Sequence, residues 1–348
     1  MFSALRTRAG GQRPRGGTYR LVVVTCLGML LVSCTADVRD RQDATRVPGE
    51  LARADSASRV YVTNQQDNTV SVIDAGTNKV IATVPAGTAP EGVAVTKDGA
   101  HLYIANSGSA QVSVLDTRSR KIVAKVPVGK SPTGLALSPD GKSVYVANGG
   151  SNTVSVIDTS TNQASATVPV GRSPLNVAFS GDGATVYVAN SGAGNLSVID
   201  TRTRRVTRTL SAGRAPVAVA VTRDGKSAYV ADEVGTHVLA IATRTGKSAA
   251  VTVGQGPFDV AISPDDRLAY SADLGPGHIS VIDTGSHRVT ATINVGPPGT
   301  DPFNLEVTNR AIYVTNQGAG TLTVIDPASR KVLATVTVGA SPYGVAVG

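Results

Sequence analysis

The sequence is poor in the residues that mark most catalytic and redox centres. It contains no Trp, two Cys and four His, and aromatic residues make up only 4% of the chain. There is no Cys-x-x-Cys-His motif for a c-type haem and no Gly-x-Ser-x-Gly motif between a strand and a helix. The glycine-rich stretches are turns that no helix follows, so they are not phosphate-binding loops. These absences leave no recognisable nucleophile or redox group, and we expect no cofactor.

Positive charge is concentrated at the N-terminus. The whole chain has a formal net charge of +8. Residues 1–33 contain no acidic residue and five arginines, which are Arg6, Arg8, Arg13, Arg15 and Arg20. Without these five, 28 basic and 25 acidic residues leave a net charge of only +3. The overall charge therefore gives little support for a nucleic-acid partner.

The N-terminal segment has the layout of an export signal. Leu21 to Val32 form an apolar run of twelve residues behind the arginines, too short to span a bilayer comfortably and typical of a signal-peptide core. The run ends in Leu31-Val32-Ser33-Cys34, which resembles the bacterial lipobox. The resemblance implies that residues 1–33 are a signal peptide and that Cys34 is lipidated. An ordinary signal peptide with a chance cysteine, or an uncleaved anchor, are the alternatives.

A polar segment follows at residues 34–58, with mixed charges and Pro48-Gly49. It carries neither helical nor strand periodicity, so we interpret it as a flexible tether. Acylation with more than one chain gives stable membrane attachment. The sequence thus predicts a lipid-anchored protein on the extracytoplasmic face of the cell membrane.

Residues 59–348 are built on a four-residue phrase that recurs seven times. The phrases begin at Tyr61, Tyr103, Tyr145, Tyr187, Tyr229, Tyr270 and Tyr313, with spacings of 42, 42, 42, 42, 41 and 43 residues. One period contains four short apolar or alternating segments separated by turn residues, which is typical of a propeller blade. No segment keeps helical periodicity for long enough to predict a helix. The sequence therefore predicts an all-β, seven-bladed β-propeller of four-stranded antiparallel blades.

The repeated phrase also carries a resemblance. Tyr-Val-Thr-Asn, with Ser-Val-Ile-Asp and Ser-Pro-Asp-Gly downstream, resembles the YVTN-family β-propeller repeat over residues 59–348. Gly-His and Trp-Asp signatures are missing, which separates the chain from WD40 propellers. That family spans binding proteins and domains of enzymes, so no single function follows from it.

The order of the strands predicts how the ring closes. Seven inner strands follow the prolines Pro90, Pro132, Pro174, Pro216, Pro257, Pro302 and Pro342. The last inner strand, Tyr343 to Val347, has no Tyr-Val-Thr-Asn strand after it, and the strand at Tyr61 has no inner strand before it. The C-terminal strand should therefore complete the first blade and leave no unpaired inner edge.

Positions that differ between the repeats are the candidates for function, because identical positions serve the scaffold. The residue after each inner-strand proline varies, and three neighbouring blades carry Phe258, Phe303 and Tyr343 there. The candidate ligand-binding residues are Glu91, Lys130, Arg172, Arg214, Phe258, Asp259, Asp301, Phe303, Asn304 and Tyr343. They predict a mouth with a basic arc and an aromatic-acidic arc, suited to a polar ligand with a flat part. Alternatively, the aromatics fill gaps between blades and the basic residues are solvated.

Two further features leave alternatives open. His237 and His278 occupy matching places on adjacent repeats, where they could bind a divalent ion or serve as polar loop residues. The turns on the other face carry basic residues interleaved with aspartates, and these could bind anionic lipid, wall polymer or nucleic acid, or be solvated. The basic residues are Arg118, Arg120, Lys121, Arg202, Arg204, Arg205, Arg244, Lys247, Arg288, Arg330 and Lys331.

Three functions are compatible with these features. The first is a membrane-anchored binding or protein-interaction scaffold for a protein or small-molecule ligand, and the second is a hydrolase of a lactone-like small molecule. The third is a binder of anionic polymer or DNA through the basic face. We favour the first, as a monomer, and assign no catalytic residue and no metal ligand.

Overall fold

The computed structural model of the protein describes residues 58–348. Within that range the strands form seven four-stranded antiparallel sheets, and the one further element is a 3₁₀ turn at Ser191–Ala193. This confirms the predicted seven-bladed propeller. The predicted signal peptide, Cys34 and the tether up to residue 57 lie outside the described residues. No helix within residues 58–348 is long and apolar enough to cross a membrane.

Each blade runs outward from an innermost strand at the central channel. The innermost strands of blades one to seven are β28 (Pro342–Val347), β4 (Pro90–Val95), β8 (Pro132–Leu137), β12 (Pro174–Phe179), β16 (Pro216–Val221), β20 (Pro257–Ile262) and β24 (Pro302–Val307). The second strands are β1 (Arg59–Asn64), β5 (His101–Asn106), β9 (Ser143–Asn148), β13 (Thr185–Asn190), β17 (Ser227–Asp232), β21 (Leu268–Asp273) and β25 (Ile312–Asn316).

The two outer strand positions complete each blade. The third strands are β2 (Thr69–Asp74), β6 (Gln111–Asp116), β10 (Thr153–Asp158), β14 (Asn195–Asp200), β18 (His237–Ala242), β22 (His278–Asp283) and β26 (Thr321–Ile325). The outermost strands are β3 (Lys79–Pro85), β7 (Lys121–Pro127), β11 (Gln163–Pro169), β15 (Arg205–Ser211), β19 (Ser248–Thr252), β23 (Arg288–Asn294) and β27 (Val332–Thr337).

Burial follows strand position because each blade is covered on both faces by its neighbours. The second strands are buried along almost their whole length, and their β-branched and aromatic side chains suit a sheet covered on both sides. Tyr103, Tyr229 and Tyr270 are at most 1% exposed. The outermost strands are largely exposed, and in β7 Val126 is the fully buried residue. The core therefore lies between the blades.

In blades one and two, the asparagine that ends the repeated phrase fastens three segments of its blade. Asn106 Nδ2 donates to Ser113 Oγ on the third strand at 2.9 Å, and its Oδ1 accepts the Gly87 N–H of the entering turn at 3.0 Å. Asn64 makes the same contacts with Ser71 and with Gly339. A buried amide with both ends satisfied fixes the second strand against the third and against the turn. Asn148, Asn190 and Asn316 make the same Nδ2 bond to the third strand.

The aspartates of the Asp-Gly turns serve the scaffold, as predicted. Each accepts the backbone N–H of the residue two positions further on, as in Ala100 to Asp98 at 3.0 Å. The same bond is made to Asp140, Asp182 and Asp224. Hydrogen bonds from the Thr96 hydroxyl and the Ala100 N–H hold the pKa of Asp98 below its usual value. These carboxylates are occupied by their own turns.

The predicted closure of the ring is also confirmed. Strand β28 pairs antiparallel with β1, and Val345 lies opposite Val62. The Gly348 and Arg59 backbones exchange hydrogen bonds of 2.9 and 2.7 Å at the end of this ladder. The C-terminal strand is thereby the innermost strand of blade one and joins blade seven to blade two.

Deleting residues 341–348 should abolish cooperative unfolding, because it removes one innermost strand and exposes the inner edge of β1. Thermal unfolding followed by circular dichroism measures this. Deletion of Gly348 alone is the control, and it should lower the melting temperature only slightly. An unchanged melting temperature in the long deletion would contradict the role of β28.

Candidate functional site

A cavity lies at the end of the central channel where the innermost strands begin, and we call it the mouth cavity. Every blade contributes to its lining, mainly through the second and third residues of its innermost strand. Its volume is about 80 Å³. Pockets for drug-sized ligands are larger, on the order of 300–1,000 Å³, so the mouth cavity suits a small ion or a small chemical group.

Three aromatic rings from blades six, seven and one pack against one another at this cavity. The ring centroids of Phe258 and Phe303 are 3.8 Å apart, and those of Phe303 and Tyr343 are 4.6 Å apart. Phe303 is 7% exposed, whereas Phe258 and Tyr343 are half-buried. The central ring therefore fills space between blades, and the outer two also offer surface to the cavity.

Polar side chains at the third residue of the innermost strands connect neighbouring blades. Asp259 Oδ2 accepts the Leu305 N–H and the Asn304 amide, both at 2.8 Å. Asn304 Oδ1 in turn accepts the Val345 N–H of blade one at 3.0 Å. Asn176 accepts the Val219 N–H of blade five at 3.3 Å. Asp259 and Asn304 therefore both line the cavity and join blades six, seven and one.

Blades one to three carry glycine at this same position. A Cβ atom on Gly134 would lie 2.6 Å from the Leu175 carbonyl oxygen, and one on Gly344 would lie 2.6 Å from the Glu91 carbonyl oxygen. Neighbouring backbones approach too closely there for any side chain. Polar groups at this level of the channel are therefore restricted to the other blades.

Asp259 is buried at 6% exposure. Burial raises its pKa to about 7, although the N–H of Leu305 partly opposes the shift. The carboxyl group therefore changes its charge near neutral pH, at the wall of the mouth cavity. A carboxyl group with this pKa can bind a cation or exchange a proton.

Glu306 is a channel residue that sequence reasoning missed. It is the fifth residue of β24, and the six other innermost strands have alanine there: Ala94, Ala136, Ala178, Ala220, Ala261 and Ala346. Burial, and then the nearby charge of Asp259, raise the pKa of Glu306 to about 7. Its carboxyl group receives no hydrogen bond from the residues that the structure describes. A comparison of the fifth residue of the innermost strand between repeats would have identified Glu306.

Glu91 lies beside the aromatic cluster on blade two. It is 8% exposed, and its Oε1 accepts the Gln65 amide at 2.9 Å. Burial raises the pKa of Glu91. Burial also raises the pKa of Tyr343 well above its usual value, and the Glu91 and Asp259 carboxyl groups add to that shift. The Tyr343 hydroxyl group thus lies among acidic groups.

The other predicted mouth residues lie away from the cavity lining. Lys130, Arg172 and Arg214 are exposed in the turns that enter their blades. Asp301 is half-buried in such a turn, with a φ of 50°. The structure therefore brings Phe258, Asp259, Phe303, Asn304 and Tyr343 together, with Glu91 adjacent, and leaves the basic arc on the surrounding rim.

The two histidines do not form a metal site with other ligands. His278 Nε2 lies 3.1 Å from Asp273 Oδ2, whereas His237 is exposed. Across residues 58–348, no three His, Cys, Asp or Glu side chains converge as metal ligands would. Burial raises the pKa of Asp273, and hydrogen bonds from Ser280 and Ser271 partly oppose this. This pair serves the blade in place of the usual asparagine.

The fold and the mouth cavity define a seven-bladed β-propeller with an aromatic and acidic channel mouth. Two family models match parts of the chain. The YNCE-like beta-propeller model covers residues 50–137, and the model of the 7-bladed lactonase beta-propeller covers residues 120–221. No curated protein matches the chain.

Solved structures show the same fold at low sequence identity. Hydrazine synthase from Kuenenia stuttgartiensis matches with a TM-score of 0.67 and 22% identity, over 74% of this chain and 89% of its own. A protein of unknown function from Desulfotomaculum acetoxidans matches with a TM-score of 0.70 and 18% identity, over 83% and 98%. The dihydro-heme d1 dehydrogenase NirN, in complex with DHE, matches with a TM-score of 0.63 and 18% identity, over 82% and 74%. These similarities concern the fold alone.

Glu306→Ala should stabilise the protein more at pH 8 than at pH 5. The pKa of Glu306 is raised above its usual 4.5 to about 7, so its contribution to stability falls as the pH rises through this window. The expected gain at pH 8 is about 1–3 kcal/mol, because one pKa unit corresponds to about 1.4 kcal/mol and solvent screening reduces the effect at a half-buried group. Thermal unfolding of both proteins at the two pH values measures it.

Glu233→Ala is the control for this comparison, because Glu233 is exposed. It should leave the melting temperature nearly unchanged at both pH values. A Glu306→Ala variant that is less stable than the wild type at pH 8 would show that the carboxylate is stabilised in the channel.

Proposed function

We propose that the protein is an extracytoplasmic, membrane-anchored lipoprotein whose propeller is a binding module of the YVTN-repeat type. The observation that supports binding is the convergence of residues that depart from the repeat. Phe258, Asp259, Phe303, Asn304 and Tyr343 differ from their counterparts in most other blades, and all five line the mouth cavity. In a chain that otherwise repeats its scaffold, such convergence favours a ligand site.

The chemistry of the cavity favours binding over covalent catalysis. Its lining contains no Ser, Cys, Lys or His, the usual nucleophiles and bases of hydrolases. The volume of about 80 Å³ is also small for a substrate held around a reacting bond. A module that recognises a small group, or the protruding side chain of a partner, fits these properties.

A hydrolase of lactone-like molecules is the second candidate, and the lactonase match over residues 120–221 favours it. Asp259, with its pKa raised to about 7, has the proton affinity of a general base. Hydrolysis of a sugar δ-lactone that disappears in Asp259→Asn would support this function. Hydrolysis no faster than the uncatalysed rate would exclude it.

Membrane attachment depends on Cys34 in this proposal. Cys34→Ser should move the protein from the membrane fraction to the soluble or secreted fraction and abolish labelling by a radioactive fatty acid. Without acyl chains the protein loses its stable hold on the bilayer. Cell fractionation and labelling measure the change, with Cys26→Ser as the matched control. Labelling that persists in Cys34→Ser would contradict the anchor.

Binding at the mouth predicts a specific effect of Phe258→Ala. Cross-linking in intact cells followed by purification should recover a ligand or partner with the wild type, and at least about tenfold less with Phe258→Ala, because hot-spot aromatics contribute 2 kcal/mol or more. Phe179→Ala is the matched control. Phe179 packs edge-on against Tyr145 at 5.1 Å and does not line the mouth cavity. Equal recovery with both variants would place the binding site elsewhere.

A further inference from the structure

The seven innermost strands have an unusual charge balance. Together they contain three carboxylic acids and no Lys, Arg or His. Glu91 is the second residue of its strand, Asp259 the third and Glu306 the fifth. The acids thus occupy successive levels from the mouth inward, and the wall of the channel has no positive side chain to balance them.

These carboxyl groups also lack positive partners elsewhere in residues 58–348. The ion pairs there join Lys226 to Asp224, Arg267 to Asp265 and His278 to Asp273, and none involves a channel acid. Each channel acid is bonded to neutral groups or, in the case of Glu306, to none. A charge buried without a partner is costly. A bound cation would remove that cost.

The spacing of the acids argues against a multivalent metal ion. Residues two apart on a strand are separated by about 6.6 Å along it, whereas oxygen ligands lie about 2.0–2.6 Å from Mg²⁺ or Ca²⁺. Acids at different levels of the channel therefore do not converge on one ion. Across the described chain no group of three metal-binding side chains is present.

The mouth adds a feature that selects among cations. The half-buried rings of Phe258 and Tyr343 border the same cavity as Asp259. Aromatic faces attract cations and also accommodate alkyl groups. A carboxylate below aromatic rings, in a cavity of about 80 Å³, matches an ammonium group that carries a short alkyl chain.

We propose that the channel mouth binds a small primary alkylammonium ion, with its charged group at Asp259 and its alkyl part beside Phe258 and Tyr343. This inference rests on the proposed binding function and names the chemical class of its ligand. The three N–H donors of such an ion complement carboxylate oxygens that the protein leaves without a cationic partner.

The protonation of the two acids gives the site a dependence on pH. Burial raises the pKa of both Asp259 and Glu306 to about 7. The charge of Asp259 acts on Glu306, and the charges of Glu91, Asp259 and Glu233 act on Tyr343, so the interacting groups at the mouth are all acidic. An alkylammonium ion stays charged from pH 5.5 to 8, so binding should be tighter at pH 8, where the acids ionise more readily.

The experiment uses the purified full chain in detergent and ethylammonium chloride as the probe, with binding followed by an NMR titration at pH 8. Ethanol and acetate are matched probes that are neutral and negative. Saturable binding of ethylammonium, at least about tenfold tighter than that of either control, is the expected result, since one charge-assisted bond supplies this factor. Equal binding of ethanol would overturn the proposal, because it would show an apolar cavity only.

Two variants test the acids separately. Glu306→Ala introduces the residue of the six other blades, so the fold tolerates it. Asp259→Asn keeps an oxygen to accept the Leu305 N–H but loses the charge. Asp259→Asn should weaken ethylammonium binding at least about tenfold. Glu306→Ala, which removes a nearby negative charge, should weaken it by a smaller factor, whereas Asp301→Asn on the rim should not weaken it. Unchanged binding in both channel variants, or displacement of the probe by equimolar Ca²⁺, would overturn the assignment.

The outcomes separate this inference from the proposed function. If ethylammonium does not bind but Phe258→Ala still loses the cross-linked partner, the mouth is a binding site for another class of ligand. If Phe258→Ala and Phe179→Ala recover equal amounts and ethylammonium does not bind, both proposals fail.

Discussion

The antiparallel ladder between β28 and β1 is the interaction on which the rest of this structure depends. It joins the two ends of the described chain, since Val345 lies opposite Val62 in one sheet. A blade buries its faces only against the blades on either side, so an open ring would leave two blades with uncovered faces. Closure also defines the channel, because β28 supplies both Tyr343 and Gly344 to its wall.

The internal repetition separates the roles of scaffold and site. The asparagines, turn aspartates and tyrosines recur because each blade solves the same local problem of hydrogen bonding and burial. Where one blade departs from the others, as blade seven does at Glu306, the local scaffold does not require the change. Such departures concentrate at the channel in blades six, seven and one, and this concentration supports a site there.

Much of the fold followed from the sequence because it depends on local, repeated signals. The period, the strand pattern and the leftover C-terminal strand together predicted seven blades and their closure. The site was predicted only in part. The sequence does not show how far a turn residue lies from the channel. Lys130, Arg172 and Arg214 were therefore grouped with Phe258, although they lie in exposed turns on the rim.

Glu306 was missed for a different reason. The comparison between repeats considered the residue after each proline and its neighbours, whereas Glu306 lies two positions beyond Asn304. Its burial and its proximity to Asp259 arise from two different blades. No pattern within a single repeat predicts that proximity.

In blades one to three, the third residue of the innermost strand is glycine, and this limits how the channel wall can vary. Backbone contact at Gly134 and Gly344 leaves no room for new side chains on that part of the wall. Side chains at this level of the channel are therefore confined to the four remaining blades, although blade one still contributes Tyr343 one residue earlier. A change of ligand would therefore require new side chains at this level in blades four to seven, whereas the glycines of blades one to three would stay unchanged.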